Sequence, residues 1–490
     1  MKPVLAEMDE RRFRDLFALS QDVKIESVRL GPRDRSHPVV LLYCYGMADA
    51  SQINGFVLPH LQRMLEDAET VTSELVETNG SLLLSRIAAP DWEKPMADRL
   101  YTGELVLFFE SPRLLYTVNI ANPPIRKPEE SSTEVSVKGP RDAFTEDLAT
   151  NVALVRKRLL TTSLCCELIK VGQRSHTSVA LLYIGDVADP VIVKEARLKL
   201  ERLNLDGLIS SEQLEEGLTD KGFSLVPLLD YIGRPDFVAD GLLRGRIGIL
   251  VDGSPMALLA PANLTMILKS PEDLHFPSYY VAVERALRLA GLAIAVFFPG
   301  FYIAVTSYNF DQIPFPLLAT IASVRLGLPL SGPMDFFLML GLFELFREAG
   351  LRLPKAVGQT VAVVGGLIIG DAAIRAGLTS PTTLVAVAIS TMAMYTLVNQ
   401  SLAGSVTLLR ILILIVSALL GMFGFIVSVV ALVLYLATLE SFGVPYLAPI
   451  SPPSPRDWIR SLRYNKWKTA KRRPTFLNTT DDTRQKRGRS

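Results

Sequence analysis

Long apolar stretches occur only in the second half of the chain. Three of them approach the ~20 apolar residues that a helix needs to cross the hydrocarbon core of a bilayer: 287–308, 382–399 and 411–439. The third contains Gly421 and Gly424, so it predicts either one long tilted helix or two shorter ones. The pattern predicts an all-α polytopic membrane domain over residues 269–455, with four spanning helices.

The segment between the first two apolar stretches has a more irregular pattern. Residues 311–330 are apolar but contain Pro314, Pro316 and Pro329. Backbone interrupted by proline is tolerated at membrane depth only where protein buries it or where it lines water. This region therefore indicates a polar path through the membrane rather than a simple anchor.

Six ionisable residues lie in or beside these apolar segments, where such residues are functional candidates by default. Glu344 precedes Glu348 by one helical turn, and a column of carboxylates would suit a cation path. The alternative to a cation path is that these charged residues lie at a helix end at the membrane interface, where their side chains reach the water of the lipid headgroups. The predicted pore or gating residues are Glu344, Arg347, Glu348, Arg352, Asp371 and Arg375, with Glu348–Arg352 and Asp371–Arg375 spaced i, i+4 for pairing.

The first ~280 residues alternate short apolar runs with polar segments, as soluble α/β and α+β domains do. Residues 39–45 (VVLLYCY) predict a strand that is followed by a turn at Gly46 and a helix. Residues 104–109 (ELVLFF) and 114–119 (LLYTVN) are separated by a Ser-Pro turn and predict a hairpin.

Two blocks of this half recur later in the chain. VLLYCYGMAD at 40–49 resembles ALLYIGDVAD at 180–189, an offset of 140 residues, and MADRLYTG at 96–103 resembles VADGLLRG at 238–245, an offset of 142. Asp49 and Asp189 recur at equivalent positions, where we expect helix caps. The repeat predicts two tandem, similarly folded αβ subdomains, 1–137 and 161–268, joined by a linker helix over 138–160.

Charge is unevenly distributed along the 490 residues. Residues 456–490 carry 12 Lys and Arg against 3 Asp and Glu, although the net charge of the whole chain is only +1. The N-terminus has no apolar region of the kind that signal peptides need. Both ends are therefore expected in the cytoplasm, where the basic tail would meet anionic lipids. The tail lacks the patterning that would favour nucleic acid.

Catalytic and metal-binding signatures are absent from the sequence. It contains no phosphate-binding loop, no Gly-x-Ser-x-Gly motif and no His-Glu-x-x-His motif. The three cysteines, Cys44, Cys165 and Cys166, cannot form a disulfide framework and fit a reduced compartment. We expect neither an enzyme nor a cofactor.

Long motifs in a fixed order resemble the GerA family of bacterial spore germination proteins, over about residues 15–453. The linker motif GPRDAFTEDL, continuing to Asn151 and Arg156-Lys157-Arg158, resembles that family's linker signature. Further matches are the motifs SPED at 270–273, IPFPLL at 313–318, REAGLRLP at 347–354 and SFGVPYL at 441–447. Two departures affect charge, because Met339-Leu340 stands where the family has Met-Glu, and Asp371 stands where it has Gln.

The resemblance implies the A subunit of a nutrient germinant receptor in the spore inner membrane, with its N-terminal domain facing the spore core. In that family the A subunit works with a transporter-like B subunit and a lipoprotein C subunit. It is thought to oligomerise, as a pentamer, into a cation channel. The alternative is a SpoVAF-like accessory protein, a scaffold associated with the dipicolinate-release channel.

Overall fold

The computed structural model describes most of the chain. For residues 351, 352 and 462 it describes only the backbone. The described residues are 8–32, 36–66, 70–78, 82–87, 92–124, 138–219, 224–352, 370–462 and 472–484.

Two antiparallel sheets with the same strand order form the αβ half. The first consists of β1 (Val23–Leu30), β2 (His37–Cys44), β3 (Leu84–Arg86), β4 (Glu104–Phe109) and β5 (Leu114–Asn119). The second consists of β6 (Leu164–Val171), β7 (Thr177–Ile184), β8 (Asp230–Ile232), β9 (Ile247–Val251) and β10 (Ala257–Ala260). Their orders are β1-β2-β4-β5-β3 and β6-β7-β9-β10-β8. The two sequence blocks that recur thus lie in equivalent places of two sheets.

Local predictions in this half are confirmed where a short motif determined them. The hairpin over 104–119 is formed by β4 and β5, which pair from Glu104 with Asn119 to Phe109 with Leu114. Asp49 and Asp189 both cap helices, because their side chains accept hydrogen bonds from the amides of Ser51 and Val191. The equivalent aspartates therefore serve local structure.

Both faces of each sheet are covered, which explains why the central strands read as continuous apolar runs. In β2, Val40 and Leu42 enter one core while Val39 and Leu41 enter the core on the opposite face. The covering helices of this half are α1 (Glu10–Leu16), α2 (Ala50–Gln52), which continues through a π-helical turn (Ile53–Val57) into α3 (Leu58–Glu66), α4 (Ser73–Thr78), α5 (Glu93–Tyr101), α6 (Leu148–Arg156), α7 (Pro190–Arg202), α8 (Ser211–Leu218), α9 (Pro235–Leu243) and α10 (Leu264–Ile267).

Helix α6 lies between the two sheets and connects them. Arg156, at the C-terminal end of this helix, is completely buried and forms a bidentate ion pair with Asp22. The Nε–Oδ2 and Nη2–Oδ1 distances are both 2.8 Å. The same guanidinium donates to the carbonyl oxygen of Leu164 in β6 (3.0 Å) and lies over the ring of Tyr101, 4.5 Å from its centroid. A single side chain thus holds both sheets and the linker together.

The helical half begins at Ser278. Its helices are α11 (Ser278–Ser307), α12 (Phe315–Arg325), α13 (Gly332–Arg352), α14 (Pro381–Met394), α15 (Gln400–Ala437) and α16 (Pro455–Leu462). By length and composition, α11 and α15 are apolar enough to cross a membrane. Helix α14 ends at Met394, so the apolar stretch predicted over 382–399 forms a shorter helix than expected.

Helix α15 folds back on itself at Gly421. Gly421 has φ 61° and ψ −141°, a conformation that is essentially restricted to glycine. A Cβ atom on Gly424 would lie 2.5 Å from the carbonyl oxygen of Val416, although eight residues of straight helix span about 12 Å. The sequence predicted either one long tilted helix or two shorter ones. The structure has two shorter helical segments, 400–420 and 422–437, which form a hairpin.

The C-terminal tail is docked, in part, on the αβ half. Leu477 is completely buried in the core beside the second sheet, and Arg484 forms an ion pair with Asp240 (2.8 Å). Arg473 donates to the carbonyl oxygen of Leu243 at 2.8 Å. Residues 472–484 of the predicted basic tail therefore have protein partners for their cations and for the apolar side chain of Leu477.

Replacing Arg156 by methionine should lower the free energy of unfolding of a fragment 1–268 by about 3–5 kcal/mol, because Asp22 is left buried without its counter-charge. The fragment includes helix α1 because Phe13 of that helix is completely buried in the core beside the first sheet. Urea denaturation measures the change. Arg174→Met is the matched control, since Arg174 and its partner Asp206 are exposed. Equal effects of the two substitutions would contradict the central role of Arg156.

Candidate functional site: a charged cluster among the apolar helices

Three ionisable side chains from two helices meet in the interior of the helical half. Helix α13 carries Glu344 and Arg347 one turn apart, and the first segment of α15 carries Arg410. Glu344 forms ion pairs with both arginines, at 2.6 Å from Arg347. The side chain of Arg410 is completely buried, whereas the side chains of Glu344 and Arg347 are 19% and 22% exposed to solvent.

The cluster lies well inside the apolar segment. Arg410 is the eleventh residue of α15, about 15 Å from its start, with the apolar residues 411–416 following it. A charged side chain at such a depth is costly unless it is paired or faces the interior of a bundle. The ion pair with Glu344 therefore connects α13 to the α15 hairpin.

Arg347 extends the cluster towards a third helix. It donates to the hydroxyl of Thr407 at 3.1 Å, one turn before Arg410, and contacts the sulfur of Met394 at 3.4 Å. Met394 is the last residue of α14. The charged cluster is thus located where α13, α14 and α15 meet.

The other predicted site residues lie elsewhere. Glu348 is exposed, so it does not continue an inward-facing column with Glu344. Asp371 and Arg375 form the expected pair (2.8 Å), but both are exposed. The side chain of Arg352 lies outside the described residues. Glu344 thus pairs with two arginines, and the assignment of the six residues to a pore or gate stays a prediction.

Sequence reasoning missed Arg410. The third predicted apolar stretch begins at Ile411, so Arg410 lies just outside that predicted span. The available signal was a single arginine between Leu409 and Ile411, with no other charge from 400 to 437. Its partner could not be identified from spacing, because Glu344 is 66 residues earlier in the sequence.

More polar groups are buried among these helices. The hydroxyl of Tyr302, the hydroxyl of Ser417 and the Oδ1 atom of Asp335 are buried and have no hydrogen-bond partner among the described residues. The other carboxylate oxygen of Asp335 accepts from the amide of Ser380 (3.4 Å). Groups of three or more potential metal ligands are not found in the described part of the chain. The bundle interior thus contains polar groups in addition to the charged cluster.

The helical half is attached to the second sheet at both ends of the α15 hairpin. At one end, the Asn399 amide group donates to Asp230 of β8 (2.7 Å), while its carbonyl oxygen caps α15. At the other end, the hydroxyl of Tyr435 accepts from the amide of Leu225 (2.8 Å). Residues 224–232 therefore contact both ends of the hairpin.

The first helix of this half is attached through the SPED motif. Asp273 is buried and accepts hydrogen bonds from Arg285 (2.8 Å) and Arg288 (2.9 Å), one turn apart on α11. The SFGVPYL motif makes a further contact, where the amide of Leu264 donates to the carbonyl oxygen of Tyr446 (2.9 Å). The SPED and SFGVPYL motifs thus lie where the two halves meet.

An αβ half with two antiparallel sheets, followed by helices apolar enough to cross a bilayer, is the arrangement of a membrane-associated protein with a large soluble domain. The family model described as Bacillus/Clostridium GerA spore germination protein matches residues 11–476. The chain belongs to the GerA family.

Two of the similar proteins are spore germination proteins of Bacillus. Spore germination protein XA of Bacillus anthracis is 39% identical over 98% of each chain. Spore germination protein KA of Bacillus subtilis (strain 168) is 32% identical over 95% of this chain and 85% of its own. Among solved structures, the N-terminal domain of the A subunit of the Bacillus megaterium spore germinant receptor GerK3 is 29% identical, covers 51% of this chain and 92% of that one, and has a TM-score of 0.39.

The buried carboxyl group of Asp230 should make stability depend on pH. Burial raises the pKa of Asp230 to about 7, whereas an unfolded chain gives an aspartate about 3.9. Between these values the folded protein holds a proton that the unfolded chain has released, so stability is greatest below about pH 4 and falls as the pH rises to about 7.

This dependence is measured as the unfolding temperature of the full-length protein in detergent between pH 4 and 7.5. Asp230→Asn should flatten the curve in that window, because it removes the titrating group. Asp206→Asn, at an exposed aspartate, should leave the slope unchanged. The same slope in wild type and in Asp230→Asn would show that Asp230 does not titrate there.

Proposed function

We propose that this protein is the membrane subunit of a spore germinant receptor and that it oligomerises into a cation channel whose opening starts germination. Family membership over residues 11–476 supports the role in germination. The buried cluster of Glu344, Arg347 and Arg410 supports the channel. Charges inside membrane helices face a bundle interior or a water-filled path, and they mark ion pathways.

The cluster favours a specific resting state. Glu344 is neutralised by Arg347 and Arg410, so its charge is not available to a passing cation. Glu348 and Asp371 are exposed carboxylates on the same helical half, and an oligomer would repeat each of them around its axis. Rings of carboxylates concentrate cations. Opening would then involve separation of α13 from the α15 hairpin, which exposes Glu344.

The partners follow from the family. We propose assembly as a pentamer, together with a transporter-like B subunit and a lipoprotein C subunit, in the spore inner membrane. The helical half would be polytopic, with the αβ half and the tail both on the cytoplasmic side. The contact of residues 472–484 with the second sheet supports placing both ends on one side.

We also propose that the αβ half arose by internal duplication. The identical strand order of the two sheets supports this proposal, as do the two sequence blocks that recur at offsets of 140 and 142 residues. In this view the halves are tandem subdomains. The second of them is attached to the membrane helices, while the first is attached to it through α6.

Cation flux through reconstituted protein tests the channel. Glu348→Gln and Asp371→Asn should each lower cation flux severalfold while the oligomer stays intact, because each removes one ring of charge. Glu195→Gln, in the αβ half, is the matched control. Flux and oligomer size are measured on the same samples. Unchanged flux and selectivity in both variants, with intact oligomers, would exclude these carboxylates from the pore.

Protease protection in sealed vesicles tests the topology. Tags at the N-terminus and at the C-terminus should be cleaved together or protected together, because an even number of spans places both on one side. A vesicle preparation of opposite orientation should invert both results. Protection of one tag with cleavage of the other would contradict the proposal.

A further inference from the structure

A cavity lies between the second sheet and the start of the α15 hairpin. Its volume is about 400 Å³, within the range of about 300–1,000 Å³ that small-molecule sites occupy. Residues 230–232 of β8 line one side of it, and residues 398–401, where α15 begins, line another. Ser210 and Glu212 of the lining are exposed, as is Gln400, so small solutes can enter from solvent.

Lys269 contributes an amine to the lining of this cavity. Its backbone is held in place, because its amide donates to the carbonyl oxygen of Met266 (2.8 Å) and its neighbours Leu268 and Ser270 are buried. The side chain of Lys269 is only partly exposed, and among the described residues it makes neither a hydrogen bond nor an ion pair. The amine is therefore not committed to a protein partner.

The surroundings of Lys269 favour the neutral form of its amine. Burial lowers the pKa of Lys269 well below its usual value, and three nearby guanidinium groups lower it further. These groups belong to Arg244, Arg285 and Arg246. Asp240 opposes the change, but its carboxylate is paired with Arg244 at 2.5 Å. A neutral lysine amine is a nucleophile, and desolvation and neighbouring cations are established ways of activating one.

Asp230 supplies an acidic group to the same cavity. One of its carboxylate oxygens accepts from Asn399 (2.7 Å), and the other has no hydrogen-bond partner among the described residues. Burial raises the pKa of Asp230 to about 7. The ionisable groups that interact with it are Lys269, Arg246, Glu215 and Tyr446. Asp230 can therefore donate or accept a proton near neutral pH, as a general acid must.

We propose that Lys269 captures a small polar aldehyde as a reversible imine in this cavity, with Asp230 as the proton donor. The amine attacks the carbonyl carbon, and transfer of a proton from nitrogen to oxygen gives a carbinolamine. Asp230 then protonates the hydroxyl group, which leaves as water while the C=N bond forms, and the carboxylate recovers a proton from the iminium nitrogen. Amine and aldehyde thus give imine and water, with no change of oxidation state. The hydroxyl groups of Ser210 and Ser401 can bind polar groups of the aldehyde.

The cavity is separate from the charged cluster of Glu344, Arg347 and Arg410, so this chemistry is independent of the proposed channel. A failure of the flux experiment would leave the capture of an aldehyde unchanged. The cavity lies at the contact between the two halves, because Asp230 of β8 accepts from Asn399, which caps α15. A bound aldehyde would therefore act on that contact.

Reductive trapping tests the proposal on full-length protein in detergent. The protein is incubated at pH 7 with glycolaldehyde, a small polar aldehyde, and with cyanoborohydride, which reduces an imine to a stable amine. Mass spectrometry locates the labelled lysines. Lys269 should be labelled at least about tenfold faster than the exposed Lys170, because lowering a lysine pKa by one unit raises its neutral fraction at pH 7 about tenfold. Labelling of Lys269 no faster than that of Lys170 would overturn the proposal.

A conservative variant confirms the site. Lys269→Arg keeps the positive charge but cannot form an imine, so it should remove the fast-labelled equivalent from the intact protein. Lys170→Arg is the matched control and should leave that equivalent in place. Fast labelling that persists in Lys269→Arg would overturn the assignment. If Lys269→Arg does not fold, the map of labelled lysines in the wild-type protein still decides between the two outcomes.

The pH profile tests the part played by Asp230. Asp230 loses its proton above about pH 7, so the labelling rate of Lys269 relative to Lys170 should fall between pH 7 and 8.5. Asp230→Asn has no proton to lose and should make this fall less steep, whereas Asp206→Asn, at an exposed pair, should leave it unchanged. A purely structural role would lower the unfolding temperature without altering this slope. Equal slopes in wild type and Asp230→Asn would overturn the role of Asp230.

Discussion

A guanidinium group that is completely buried among apolar helices needs a carboxylate beside it, and this constraint organises the helical half. Arg410 lies about 15 Å into α15, and Glu344 of α13 supplies the carboxylate. Since isolating either charge in a medium of low dielectric constant is costly, α13 and the α15 hairpin are held together. In the proposed channel, the same ion pair keeps the carboxylate of Glu344 from cations.

The αβ half depends on a similar arrangement. Arg156 is completely buried, pairs with Asp22 and reaches a carbonyl oxygen of β6. These two completely buried arginines thus each join separate elements, Arg156 the two sheets and Arg410 the helices α13 and α15. Residues 224–232, which end in strand β8 of the second sheet, contact both ends of the hairpin.

The sequence was most informative where a short motif determines structure. The β4–β5 hairpin and the capping roles of Asp49 and Asp189 depend on residues close in the chain, and these predictions were confirmed. The partners of Glu344 were not predictable in this way. An i, i+4 spacing relates only side chains of one helix, whereas Arg410 reaches Glu344 through tertiary packing. The docking of residues 472–484 was missed because the basic composition of residues 456–490 as a whole predicted contact with anionic lipids, whereas Leu477 is buried in protein.

The most direct test of the account is the resting ion leak of a charge-swapped protein in liposomes. Reversing one member of the pair, with Glu344→Arg or Arg410→Glu, should increase the leak, because like charges then force α13 and the hairpin apart. The double variant Glu344→Arg/Arg410→Glu restores opposite charges, and the account predicts that its leak returns towards the wild-type level. A double variant that leaks as much as either single variant would show that this ion pair does not hold the path closed.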